Sequence, residues 1–276
     1  MKRRFLSVLA IMTFGFFLST VNANAVSIDY YGYQNGSGTP TGQTATAVFD
    51  FISGTQLQIT LTETTQAAAF SNPTDVSTGI LTGIGFLLPN YARLVVAGST
   101  VTIAPTSASV GFKIKNVPAD LRAGSNVSFE WGLTDSGEKQ IGNGSAYDFV
   151  STIAAQVTQL SGLNRDSGDN ISGPQGGLLN DSAENGGLGV IDSSVIMLLT
   201  IDADPVTRGR QGLINAQRNT FLSSLTNKSV VEWGADYAFG RTTPPPPVPE
   251  PATMLLLGSG LIGLAGFGRK KVFKKA

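Results

Sequence analysis

The stretch that decides the fold is Gln56-Leu57-Gln58-Ile59-Thr60-Leu61-Thr62, in which polar and apolar residues alternate strictly. Successive side chains of a β-strand point to opposite faces, so the three apolar residues share one face and the four polar residues share the other. This pattern is typical of a strand with one buried face and one wet face. Residues 44–52 precede it across Ser53-Gly54, so the two segments together predict a β-hairpin.

Short apolar segments separated by turn residues recur through residues 26–240. A short helix is predicted at 216–225, and the Gly/Asn/Asp-rich stretch 161–190 is predicted to form surface loops. Eight or nine strands at this spacing predict an all-β fold, a single antiparallel β-sandwich that is jelly-roll-like and spans 26–240. Beyond the hairpin, the predicted strands are 80–88, 92–96, 100–103, 109–115, 127–133, 195–201 and 230–238.

The first 25 residues have the pattern of a secretory signal peptide. Three basic residues at positions 2–4 precede a predominantly apolar run over 5–18, which is short for a membrane span and suits a signal core. Ala23 and Ala25 place small residues at positions −3 and −1 of a cleavage site. The mature chain is therefore predicted to begin at Val26.

Composition excludes several classes of chemistry. The chain has no cysteine and no histidine, which removes disulfides, thiol nucleophiles, Ser-His-Asp triads and the usual zinc ligands. We therefore expect no metal, no cofactor and no catalytic residues. Residues 26–250 contain 11 basic and 19 acidic residues, a net charge of −8, and this argues against nucleic acid as a partner.

The C-terminal part divides into three segments. Residues 241–251 form a Pro-rich linker whose four consecutive prolines favour a stiff polyproline II spacer. Residues 252–268 contain no charge and are predicted to form a transmembrane helix. Residues 269–276 form a basic tail, and its charges predict that this end stays in the cytoplasm while the body lies outside.

The order of Val248-Pro249-Glu250-Pro251, a Gly-interrupted apolar helix and then Arg269-Lys270-Lys271 resembles the PEP-CTERM sorting domain. The resemblance implies an exported protein of a Gram-negative, polysaccharide-producing bacterium, processed by the membrane enzyme exosortase. It also implies an inner-membrane-anchored precursor that ends at the cell surface or in the extracellular matrix, with links to exopolysaccharide and biofilm. The implied sorting motif is Pro249, Glu250 and Pro251, and the implied membrane stop is Arg269, Lys270, Lys271, Lys274 and Lys275.

Two acidic clusters are candidates for calcium binding. Hard oxygen ligands at alternate loop positions are what Ca²⁺ requires, but neither cluster has the spacing of a known calcium loop. Solvated loop carboxylates are the preferred interpretation. The clusters are Asp166 and Asp169 with Asn164 and Asn170, and Asp202 with Asp204.

Two carboxylates beside tryptophans are candidates for glycosidase chemistry, which needs no histidine. They are Glu130 beside Trp131 and Glu232 beside Trp233. Neighbours along a strand point to opposite faces, so the preferred interpretation places both carboxylates on a wet face with the tryptophans packed inward.

Two functional classes follow from these observations. The first is a non-enzymatic surface or matrix protein whose body adheres to exopolysaccharide. The alternative is a carbohydrate-binding or carbohydrate-cleaving module delivered to the same place.

Overall fold

The structure is a computed structural model of the 276-residue chain. It describes residues 25–34, 37–65, 79–110, 113–114, 117–118, 121–134, 139–141, 145–152, 158–160, 177–179, 190–203, 212–234 and 238–242. Most of the predicted signal peptide, the proline run, the apolar helix and the basic tail lie outside these ranges and stay predictions.

The described residues form seventeen strands, one α-helix and one short 3₁₀ helix. The α-helix, α1, spans Asn215–Lys228, and the 3₁₀ helix spans Ser128–Glu130. The strands are β1 (Val26–Gln34), β2 (Pro40–Phe51), β3 (Gln56–Glu63), β4 (Leu81–Phe86), β5 (Arg93–Ile103), β6 (Ser109–Val110), β7 (Lys113–Ile114), β8 (Val117–Pro118), β9 (Gly132–Leu133), β10 (Lys139–Ile141), β11 (Ser145–Ser151), β12 (Thr158–Gln159), β13 (Leu178–Leu179), β14 (Val190–Asp192), β15 (Ser194–Asp202), β16 (Ser229–Trp233) and β17 (Ala238–Arg241).

The strands confirm an all-β class but correct the predicted sandwich. Fifteen of them form one sheet whose main path runs β12-β9-β11-β4-β16-β17-β1-β2-β3-β15-β5, antiparallel at every step. A bridge between Thr102 and Asn126, and the bond from the Val127 N–H to the Val101 carbonyl at 2.9 Å, bring β5 beside the segment that leads into β9. The sheet is thus nearly closed into a barrel. Alternation of polar and apolar residues tells which face of a strand is buried. Two stacked sheets and one curled sheet both bury one face of each strand, so both produce the same alternation.

The predicted hairpin is confirmed. Strands β2 and β3 pair in register from Ala45 opposite Glu63 to Phe51 opposite Leu57. The three apolar residues of the opening segment are fully buried on the inner face. Most of the core lies inside the curled sheet, where its largest side chains are Trp131, Trp233, Tyr30, Phe49 and Phe86.

The helix prediction is confirmed and extended by three residues at the C-terminal end. Helix α1 buries Phe221, Leu222 and Leu225. The Phe221 ring meets the rings of Phe51 and Phe86 edge-on, at centroid distances of 5.8 and 5.9 Å. This aromatic cluster fixes the helix against the sheet.

Residues 127–133 do not form the predicted strand. The Asn126 side-chain oxygen accepts the Ser128 N–H at 2.9 Å, and the chain then turns through the 3₁₀ helix before the two residues of β9. Side chains of Asn and Ser compete with the sheet for backbone partners, and here they prevail. Segments 92–96 and 100–103 form a single strand, β5, whereas the predicted strand 230–238 is divided between β16 and β17. Of the predicted strand 109–115, the structure describes two short strands, β6 and β7, which belong to different sheets. The strands additional to those predicted are β1, β8, β10, β11, β12, β13 and β14, and β13 lies within the stretch 161–190 that is predicted to form loops.

A second, smaller apolar cluster lies on the opposite face of β4, β11, β16 and β17. The Phe149 ring covers Gly83 and Gly85 of the neighbouring strand, where a β-carbon at Gly83 would come within 2.6 Å of it. The cluster comprises Tyr147, Phe149, Val230 and Phe239. Part of the sheet is therefore buried on both faces.

Candidate functional site

The residues predicted for sorting lie outside the described part of the chain. This holds for Pro249, Glu250, Pro251, all five basic residues from Arg269 to Lys275, and Ala23. Ala25 is described and exposed, and β1 begins at the next residue, Val26. The first strand therefore starts at the residue that the cleavage prediction makes the new N-terminus.

One member of the two candidate calcium clusters is described. Asp202 is 8% exposed and pairs with the Arg93 guanidinium at 3.5 Å. The ranges that the structure describes contain no group of three or more acidic residues that could hold a metal ion. Asn164, Asp166, Asp169, Asn170 and Asp204 lie outside those ranges.

The tryptophans of the two candidate sugar sites pack inward as predicted, but their carboxylates do not lie on a wet face. Trp131 and Trp233 are fully buried in the main core. Glu130 belongs to the 3₁₀ helix and is 1% exposed, and Glu232 on β16 is 0% exposed. The prediction of wet-face carboxylates is wrong because part of the sheet is covered on both sides and because 128–130 is not a strand.

A third buried carboxylate, Glu63, was not singled out from the sequence. Its Oε2 accepts a hydrogen bond from the Trp233 indole N–H at 2.6 Å. Its Oε1 accepts the Thr65 N–H at 2.9 Å and also a bond from the Thr65 hydroxyl. The Thr65 hydroxyl in turn accepts the Thr44 N–H at 2.9 Å, so the carboxylate is tied to the first residues of the β2–β3 pairing. Its sequence position gave one signal, since Glu63 continues the inward alternation of residues 57, 59 and 61.

Burial raises the pKa of Glu63 from 4.5 to about 7, because the charged form loses its hydration. The hydrogen bonds from Thr65 and Trp233 act in the opposite direction and limit the rise. Glu63 is therefore a carboxyl group that changes charge near neutral pH inside the core. It has no exposed surface for a ligand, so its role is in stability.

An accessible groove lies between α1 and the connection from β4 to β5, with a volume of about 510 Å³. Leu88 and Phe221 are its buried apolar residues. Tyr91 is 43% exposed, an unusual degree for a large aromatic ring in this fold. The remaining lining residues are Leu87, Pro89, Asn90, Gln217, Thr220, Ser224 and Lys228.

Hydrogen bonds fix the groove wall opposite the helix. The Leu87 N–H donates to the Lys228 carbonyl at 2.9 Å, and the Leu88 N–H donates to the Asp148 carboxylate at 3.0 Å. The Ala92 N–H closes a turn onto the Pro89 carbonyl at 2.8 Å. The groove is therefore formed in advance of any ligand, which lowers the entropic cost of binding.

The comparisons with known proteins concern the C-terminal end. Residues 247–270 match the family model of the PEP-CTERM protein-sorting motif. The chain carries a PEP-CTERM sorting motif. The match begins at the last proline of the run, includes Pro249-Glu250-Pro251 and the apolar segment, and ends at Lys270. It confirms the resemblance and implies an exported precursor that transits the membrane of a Gram-negative bacterium and is processed by exosortase.

Searches of curated proteins and of solved structures found no significant match. Among the described residues, no helix is long and apolar enough to cross a membrane. The predicted transmembrane helix at 252–268 lies outside those residues.

Proposed function

We propose that the chain is a non-enzymatic protein of the cell surface or extracellular matrix, delivered there through its PEP-CTERM tail. The PEP-CTERM match at residues 247–270 carries this proposal. The tail follows a proline run and a β-rich body, which suits a folded module that is held away from the membrane until processing. The physiological work is then done by the body, in contact with exopolysaccharide.

The absence of enzymatic activity is supported by residue types and by burial. No histidine or cysteine is present to act as base or nucleophile. Glu130 and Glu232 are buried at 1% and 0% exposure, so a polymer cannot reach them in this conformation. A glycosidase needs two accessible carboxylates on either side of the scissile bond.

The test uses protein extracted from its host and the exopolysaccharide of the same host. We expect the protein to co-sediment with the polymer, and we expect the number of reducing ends in the polymer to stay constant during prolonged incubation. Heat-denatured protein is the control for nonspecific adsorption. Failure to co-sediment would contradict the matrix role, and a steady release of reducing ends would show that the protein is an enzyme.

The second candidate function is a carbohydrate-binding or carbohydrate-cleaving module, and the same experiment tests it. Of these two activities, binding has the better support. The observation that favours binding is the groove lined by Tyr91, Asn90 and the polar side chains of α1. An exposed aromatic ring beside amide and hydroxyl groups is the combination that sugar-binding sites use.

A further inference from the structure

We propose that the groove between α1 and the β4–β5 connection is a binding site for an acidic saccharide, one that bears carboxylate groups. This inference deepens the proposed function and rests on it, because it names the site and the polymer chemistry through which the body would contact the matrix. Three features of the groove support this inference: an exposed aromatic ring, a stripe of polar side chains along one helix, and a positively charged side chain.

The aromatic feature is Tyr91. Three large hydrophobic side chains are exposed in the part of the chain that the structure describes, namely Ile52, Tyr91 and Ile214, and Tyr91 lines the groove. An exposed tyrosine ring offers an apolar face for the C–H groups of a sugar and a hydroxyl for its polar edge. Asn90 beside it adds an amide that can both donate and accept hydrogen bonds.

The polar stripe consists of Gln217, Thr220, Ser224 and Lys228 on α1. Their spacings of three, four and four residues place them along one side of the helix, over a length of about 16 Å at 1.5 Å per residue. A stripe of this length suits a short run of sugar units better than a single small molecule.

The hydrogen bonds that these side chains already make leave groups available to a ligand. The Thr220 hydroxyl donates to the Ala216 carbonyl at 2.9 Å, and the Ser224 hydroxyl donates to the Phe221 carbonyl at 2.8 Å. Each hydroxyl therefore presents acceptor lone pairs to sugar O–H groups. The Gln217 oxygen accepts the Ile214 N–H at 3.0 Å, so its NH₂ group is the donor that Gln217 can offer.

The charge of the groove differs from that of the body. Residues 26–250 carry a net charge of −8, whereas α1 contains Arg218 and Lys228 and no acidic residue. Lys228 is the charged side chain among the described residues that line the groove. The Asp148 carboxylate accepts the Leu88 N–H at 3.0 Å and does not line the groove, so Lys228 is the charge that an anionic polymer meets there.

The experiment measures the affinity of the full-length chain, purified in mild detergent, for the exopolysaccharide of its host. A second sample of the same polymer, with its uronic carboxylates reduced to alcohols, is the neutral probe with identical linkages. The variants are Tyr91→Ala and Lys228→Gln. Their matched controls are Ile214→Ala, which removes another exposed apolar side chain, and Arg218→Gln, which removes the other cation of α1, whose guanidinium lies over Phe51 at 5.9 Å. Circular dichroism verifies that each variant is folded.

We expect Tyr91→Ala to weaken binding to both polymers by at least about tenfold, as truncation of a central aromatic contact does. Lys228→Gln should weaken binding to the native polymer and leave binding to the reduced polymer unchanged. Both control variants should bind like the wild type. Wild-type binding that neither Tyr91→Ala nor Lys228→Gln reduces would overturn the groove site while leaving the matrix role intact. Equal losses for Lys228→Gln on both polymers would refute the acidic class, and a wild type that binds neither polymer would remove the proposed function together with this site.

Discussion

The indole N–H of Trp233 donates a 2.6 Å hydrogen bond to the carboxylate of Glu63, a residue 170 positions earlier in the chain. Trp233 ends β16 and Glu63 ends β3, and three other strands separate these two in the sheet order. The bond therefore spans the interior of the curled sheet and does not follow its ladder. It joins the β2–β3 hairpin to β16, so the protonation of Glu63 affects a contact between distant strands of the sheet.

The first prediction is that the stabilising contribution of Glu63 is lost as pH rises from about 4.5 to about 7. The folded-state pKa of Glu63 is raised from 4.5 to about 7, so between these values the folded protein holds a proton that the unfolded chain has lost. The contribution of Glu63 to the free energy of unfolding is then largest below pH 4.5 and decreases until pH passes 7. The loss is on the order of 3 kcal/mol. Urea denaturation at a series of pH values from 4.5 to 8 measures it.

Two variants serve as controls for this pH dependence. Glu63→Gln should remove the contribution of Glu63 to the slope, although its absolute stability is lower at acid pH because the amide NH₂ faces an N–H donor. Trp233→Phe removes a bond that lowers the pKa of Glu63, so it should move the loss of stability to higher pH. A Glu63→Gln variant with the same pH slope as the wild type would show that other groups are responsible.

The second prediction concerns Gly85 on β4. A β-carbon at this position would overlap two ring carbons of Phe149, which is fully buried on the neighbouring strand. Gly85→Ala should therefore lower the free energy of unfolding by roughly 1–3 kcal/mol, the usual range for overpacking. Thermal and urea denaturation measure the effect.

Phe149→Leu provides the control for that overlap, because leucine lacks the ring that covers Gly85. The double variant should lose less stability than the sum of the losses in the two single variants, because both substitutions affect one shared contact. Strict additivity would mean that the glycine is required for a different reason.

The third prediction concerns the attachment of α1. Phe221 is 2% exposed and makes edge-on contacts with Phe51 and Phe86. Phe221→Ala should lower the free energy of unfolding by about 3–5 kcal/mol, because it leaves a cavity in the aromatic cluster. Thr220→Ala is the neighbouring control on the exposed side of the helix, and its effect should stay within about 1 kcal/mol. Equal effects of the two substitutions would show that the aromatic cluster does not fix the helix.

The sequence predicts those parts of the fold in which local pattern and tertiary structure agree. The hairpin at 44–62 follows from alternation, and α1 follows from the segment 216–225, which breaks the strand pattern. The strand predicted at 127–133 does not form, because the Asn126 and Ser128 side chains bond to the backbone and turn the chain. Alternation alone does not tell whether a strand packs against a second sheet or against the far side of its own curled sheet. The predicted sandwich is therefore replaced by a single, nearly closed sheet.

The functional residues likewise divide into those that a local sequence pattern reveals and those that only the tertiary structure brings together. The PEP-CTERM motif is contiguous, so the sequence displays it completely. The groove unites residues 87–91 with residues 217–228, and no local pattern links these segments. The burial of Glu130 and Glu232 depends on which faces of the sheet are covered, and this too is a tertiary property.

The fourth prediction tests the tail, where the family match and the mechanism meet. Prolines on both sides of Glu250 restrict the backbone to extended conformations, which is the shape that a peptide-processing active site can grip. We expect the five basic residues after Gly268 to resist translocation and to keep the motif at the outer membrane surface, within reach of a membrane enzyme. Changing Pro249, Glu250 and Pro251 to alanine should therefore leave export intact and stop processing.

The measurement is the mass of the protein recovered from inner membrane and cell surface. The triple-alanine variant should accumulate in the inner membrane at its full length after signal cleavage, with Val26 as its first residue. The matched control changes Pro244, Pro245 and Pro246 to alanine, which removes three prolines that lie before the family match at 247–270, and it should mature normally. Neutralising the basic residues from Arg269 to Lys275 should instead let the chain pass through the membrane unprocessed. If the triple-alanine variant at 249–251 matures and reaches the surface like the wild type, Pro249-Glu250-Pro251 is a spacer, because a recognition element cannot lose all three side chains without loss of processing.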